Sequence, residues 1–64
     1  METYFLSFAS DNRYLDECYS LARAYYLAHQ LAYSWQEDIA ISILVDGQLE
    51  DYDVVEPCYP NPYY

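Results

Sequence analysis

The chain opens on an alternation of faces. Tyr4, Leu6 and Phe8 fall on one side of an extended segment and Thr3, Phe5 and Ser7 on the other, so residues 3–9 read as an aromatic-rich strand. Ser10-Asp11-Asn12 follows, and such side chains accept hydrogen bonds from the unpaired amides of a first helical turn. The period then changes. Tyr14, Cys18, Leu21, Tyr25, Ala28, Ala32 and Trp35 recur at steps of four and three, which predicts a helix from about Asn12 to Tyr33. A second stripe lies beside the first: Leu15, Tyr19, Ala22, Tyr26, His29 and Tyr33. The two together are wider than a three-stranded sheet can cover. Part of the second stripe is therefore expected at the surface, as ordinary surface tyrosines or as a face for a partner or a second copy.

Ile39 to Val45 is the clearest strand, with Ile39, Ile41, Ile43 and Val45 expected inward. Asp46-Gly47 then gives a hairpin signal, because Gly tolerates positive φ. Leu49 to Glu56 is the return strand, with Tyr52 and Val54 expected inward and Asp51 and Asp53 outward. From Pro57 the pattern breaks. Three prolines in Pro-Cys-Tyr-Pro-Asn-Pro-Tyr-Tyr cannot continue a ladder, and this segment reads as an extended tail. The sequence thus predicts one α+β domain over residues 1–56, strand-helix-strand-strand, followed by a tail over 57–64. A right-handed crossover would make the first two strands parallel. The third strand, antiparallel to both, would sit between them, giving a three-stranded sheet of order 1-3-2 with the helix on one face.

Size and charge narrow what such a domain does. A chain of 64 residues buries only about 60% of the surface its unfolded form exposes. Ten Tyr, two Phe and one Trp compensate, since each packed ring buries roughly 150–250 Å². They are more rings than so small a core can hide, and some are expected in contact roles at the surface. Eleven acidic residues stand against Arg13 and Arg23, with no Lys and a net charge of −9. This sign argues against direct binding to nucleic acid or to anionic membranes. Met1-Glu2-Thr3 lacks the basic region of a signal peptide, so a cytoplasmic location is expected. Cys18, on an apolar face, and Cys58, in the tail, make no disulfide framework, although a bridge between them is conceivable.

The sequence carries no recognisable catalytic or metal-binding pattern. His29 stands alone, no Cys/His set has metal-ligand spacing, and Gly47 is the single glycine, so a glycine-rich phosphate loop does not exist. The expectation is a binding protein without enzymatic activity or cofactor. The candidate surface is the acidic hairpin. Asp46, Glu50, Asp51, Asp53 and Glu56 lie within it, and Glu37 and Asp38 precede it. Residues two apart on a strand stand about 6.6 Å apart on one face, close to the step between adjacent phosphates of a nucleic-acid strand. These carboxylates are expected to act as phosphate surrogates, with Tyr59, Tyr63 and Tyr64 adding aromatic contacts.

In size, charge and aromatic content over its whole length, the chain resembles the small acidic phage-encoded inhibitors of bacterial defence, the anti-CRISPR and anti-restriction DNA mimics. The likeness is one of overall character and rests on no shared motif. It implies a partner with a basic nucleic-acid-binding groove, such as a CRISPR effector or a defence nuclease, met in the cytoplasm of a bacterial host. The alternative reading is a small regulatory or assembly subunit that docks through its tyrosine stripe and tail, with homodimerisation as one form of it.

Overall fold

The computed structural model describes residues 2–57. Five elements follow in order: β1 (Thr3–Phe8), β2 (Tyr14–Cys18), α1 (Leu21–Trp35), β3 (Ile39–Val45) and β4 (Gln48–Val55). The strands form one four-stranded sheet of order β2-β1-β3-β4, every neighbouring pair antiparallel. The helix packs on one face. The fold is α+β, but the three-stranded sheet of order 1-3-2 is overturned.

The cause lies in residues 10–20. Ser10-Asp11-Asn12 does not start a helix; it turns the chain. Asp11 Oδ1 accepts from the Arg13 amide at 3.0 Å, and Asn12 takes a left-handed φ of 60°. The Phe8 amide donates to the Arg13 carbonyl at 3.0 Å, closing a hairpin. Tyr14 to Cys18 then runs back beside β1, with Tyr4 opposite Cys18 and Leu6 opposite Asp16. The helix begins one element later. Ser20 is its N-cap, in extended conformation, with its hydroxyl accepting from the Arg23 amide at 3.3 Å. The extra strand reverses the chain once more before the helix, so β3 meets β1 antiparallel rather than parallel.

The helix meets the sheet through its smallest residues. Ala24, Ala28 and Ala32 are fully buried, which lets the helix axis lie close to the sheet, while Leu21, Tyr25, Leu27 and Leu31 flank the contact. Tyr4, Leu6 and Phe8 of β1 and Ile39 and Ile41 of β3 fill the space beneath, joined by Cys18 and Val55. Trp35 seals one end by standing edge-on to Phe8, with ring centroids 5.6 Å apart. Of the expected inward positions of β3, Ile39 and Ile41 are buried and Ile43 is half-buried, whereas Val45 near the hairpin tip is exposed; the β1 face of Tyr4, Leu6 and Phe8 is the buried one. Tyr14 and Trp35, placed by periodicity on the core stripe, are exposed as well.

Candidate partner-binding surface

The β3–β4 hairpin is built as its sequence demands at the turn. Asp46 and Gly47 take φ values of 51° and 81°, two successive positive angles of the kind a tight right-twisted hairpin needs. Along the strands the pairing is regular until Ser42, opposite Asp51. The next pair is Ile41 opposite Asp53, so Tyr52 is an extra residue, a β-bulge. The bulge exchanges the faces of everything beyond it.

Two sequence expectations fail for this reason. Asp51 and Asp53 do not form a row on one face. Asp51 shares the open face of the sheet with Ser42, and Asp53 shares the helix face with Ile41. Likewise Val55, opposite Ile39, is the buried valine, while Val54, opposite Ala40, is 50% exposed on the open face. Tyr52 itself leans toward the helix side, its ring edge-on to Tyr4 at 5.9 Å.

The predicted acids are also spread along the molecule. Asp46 lies at the hairpin tip, while Glu37, Asp38 and Glu56 lie at the opposite end, where Phe8, Ile39 and Val55 pair. The seven residues of β3 separate the two ends by about 20 Å. Glu50 and Asp51 sit between, on opposite faces of β4, and all of these acids are exposed. The result is an edge strand that presents carboxylates to both sides. Tyr59, Tyr63 and Tyr64, like Cys58 and the expected tail, lie outside the described residues; Cys18 is a free, buried thiol whose burial raises its pKa.

The carboxylates have partners of an unexpected kind. Tyr4 donates to Glu2 at 2.9 Å, Tyr19 donates to Glu17 at 2.7 Å, and Tyr25 of the helix donates to Asp53. In each case a neutral hydroxyl orients the carboxylate without cancelling its charge. The Tyr25–Asp53 bond has the largest effect. The Asp53 carboxylate raises the Tyr25 hydroxyl to about 12, with burial adding to the shift. Reciprocally, the Tyr25 hydroxyl and then the Val54 amide hold Asp53 below its ordinary value. The cations lie elsewhere. Arg13, in the β1–β2 turn, pairs with Asp11 at 3.4 Å and stands 4.9 Å from the Phe8 ring centroid. Arg23, on the helix, lies over Tyr26.

Sequence reasoning missed a second part of the surface. The sheet face away from the helix is uncovered in the described chain. It carries Phe5, Tyr14, Leu44, Leu49 and Val54, with Asp51 and Glu17 among them. A groove of about 290 Å³ runs over it between Phe5, Tyr14, Ser42, Leu49 and Asp51. The alternation of Thr3, Phe5 and Ser7 on the far side of β1 was the available signal, but a two-sided reading of β4 required knowledge of the bulge. An apolar centre with a charged margin is the ordinary anatomy of a protein interface.

No cluster of three or more His, Cys, Asp or Glu suited to hold a metal occurs among the described residues. Nor is any helix among them long and apolar enough to cross a membrane. Comparison of the chain with protein-family models, with curated proteins and with solved structures finds no match.

Proposed function

We propose that this protein is an acidic inhibitor that occupies the nucleic-acid-binding surface of a larger basic protein, seating the open sheet face and the β4 edge against it. The observation that carries this reading is the way the carboxylates are held. Glu17 on the open face and Asp53 of the β4 edge are each oriented by a tyrosine hydroxyl rather than by Lys or Arg, so the array there keeps its negative charge. Such an array offers a cationic groove what a phosphate backbone offers: steering at a distance and charge-assisted hydrogen bonds at contact. The exposed Leu49 and Val54 would add apolar contact that a nucleic acid lacks. The partner class to test first is the one the overall likeness implies, CRISPR effectors and DNA-binding defence nucleases of bacteria.

A competition experiment tests the reading. Labelled duplex DNA is bound to purified complexes of that class and titrated with this protein. The wild type is expected to displace DNA, and less so as salt rises, because exposed charge pairs are screened. Glu50→Gln with Asp51→Asn is the informative variant, since both acids are exposed and Asp53, which anchors Tyr25, is left intact. Losing one side of a desolvated charge pair costs about 2–5 kcal/mol in affinity. Simultaneous binding of DNA and protein throughout the panel would overturn the proposal.

A further inference from the structure

The helix has a face that the sheet does not use. Ala22, Tyr26, His29 and Tyr33 follow one another at steps of four, three and four residues, and all four are exposed. Alternating steps of four and three mark the seam of two helices packed knobs into holes. With a turn every 3.6 residues, this seam lies about 130° around the helix from the buried Ala24, Ala28 and Ala32. Tyr26 is 57% and Tyr33 48% exposed, a large aromatic area for one short helix.

Charge decides what fits there. The helix Leu21–Trp35 contains no carboxylate, although the chain has eleven acidic residues; every one lies in a strand or in a segment that flanks or connects the elements. The charged neighbour of the seam is Arg23, whose guanidinium lies 5.9 Å from the Tyr26 ring centroid. This is the face on which a second chain of net charge −9 can rest without setting acid against acid. The open face of the sheet does not offer that, because Asp51 and Glu17 stand among its apolar side chains.

We propose that the outer face of α1 is a self-association surface, through which two copies pair as antiparallel helices about a twofold axis. The seam fixes the register. With the axis passing between residues 27 and 28, Ala22 lies across from Tyr33 of the second copy, and Tyr26 across from its His29. A small side chain meets a large one twice, and a phenol ring meets an imidazole twice. Both acidic sheets then face outward on opposite sides, giving the pair two identical binding surfaces. This pairing is independent of what the acidic surface binds. The seam from Ala22 to Tyr33 occupies about 18 Å of the helix. That is short beside interfaces that bury roughly 1,200–2,000 Å², so the association is weak and concentration-dependent.

The salt dependence has a definite sign. Two chains of like charge repel at a distance, and salt screens that repulsion while leaving apolar contact intact. Pairing therefore strengthens as salt rises, whereas binding of the acidic surface to a cationic partner weakens. The two readings fail separately. Sedimentation equilibrium of the full chain over a hundredfold concentration range, at low and at high sodium chloride, is the test. The wild type is expected to move from monomer toward dimer, more readily at high salt. Tyr26→Glu, which puts a carboxylate in the seam, should lower the association constant at least tenfold, and His29→Glu should do the same. Tyr26→Phe and, on the open sheet face, Leu49→Glu should leave it unchanged, with circular dichroism confirming that each variant is folded. A monomer at the highest concentration in high salt would overturn the proposal. So would a dimer that survives Tyr26→Glu and His29→Glu but is lost with Leu49→Glu.

Discussion

The bond from Tyr25 to Asp53 ties the helix to the edge strand, and its two partners titrate in opposite directions. Asp53 is held below its ordinary value of 3.8, so its contribution to stability is present above that pH and is lost as pH falls through the lower folded value. Tyr25 is raised from 10.0 to about 12, so its contribution is present below pH 10 and is lost between 10 and 12. Tyr25→Phe is therefore expected to lower stability across the neutral range, with the deficit shrinking at both extremes. Urea unfolding at a series of pH values measures this, and phenolate absorbance of the variant should lack the tyrosine that titrates at about 12. None of this was legible in the sequence. Tyr25 reads there as one more apolar stripe position, and Asp53 as an outward acid. Their meeting depends on the bulge at Tyr52, which no residue near it announces. Neither Gly nor Pro, the usual sequence signs of such an irregularity, lies between Gln48 and Glu56.

Elements were more legible than their ends and neighbours. Strands β1, β3 and β4 and the Asp46-Gly47 turn follow from alternation and turn chemistry, and they are where those signals put them. The periodicity makes the helix about one strand too long at its start. Tyr14 and Cys18 stand at helical spacing from Leu21, yet they belong to a strand whose own alternation spans five residues, too few to outweigh the longer stripe. The sequence puts the capping chemistry at Ser10-Asp11-Asn12, whereas Ser20 caps the helix. Ser20→Ala should accordingly cost about 0.5–2 kcal/mol. Ser10→Ala, at an exposed turn position, should stay within about 0.5 kcal/mol of wild type. Denaturant midpoints decide between the two start sites. In the core, Ile41 is 1% exposed, and Ile41→Ala should cost roughly 2–5 kcal/mol. The half-buried Ile43 should cost less when shortened in the same way.

At the scale of the molecule, charge is distributed by element. The helix is free of acids, and the sheet and its connections hold all eleven. Charge of one sign opposes compaction through self-repulsion. The thermal midpoint is therefore expected to rise as sodium chloride increases, read by circular dichroism at constant pH. If the midpoint fell instead, the carboxylates would have to be engaged in attractive pairs within the fold. The acidic excess was visible from composition alone, and so was its concentration in the second half of the chain. Its geometry was not: the sequence suggests a single row of phosphate-like charges, and the fold gives an edge that is acidic on both sides. Side-chain faces in a strand follow from register, and register is set by pairing across the sheet rather than by local spacing.

The two bulges have a consequence of another kind. The strands at the margins of the sheet, β2 and β4, each carry one: Leu15 is the extra residue opposite β1, as Tyr52 is opposite β3. A straight, flat, apolar margin is a template on which further strands add without limit. Here each margin is interrupted by its bulge and lined with acid, Asp16 and Glu17 on β2, Glu50, Asp51 and Asp53 on β4. In a chain with ten tyrosines, such margins disfavour the addition of further strands. Removing Tyr52 would straighten β4, and thioflavin fluorescence on prolonged incubation is expected to rise in that deletion and not in the wild type.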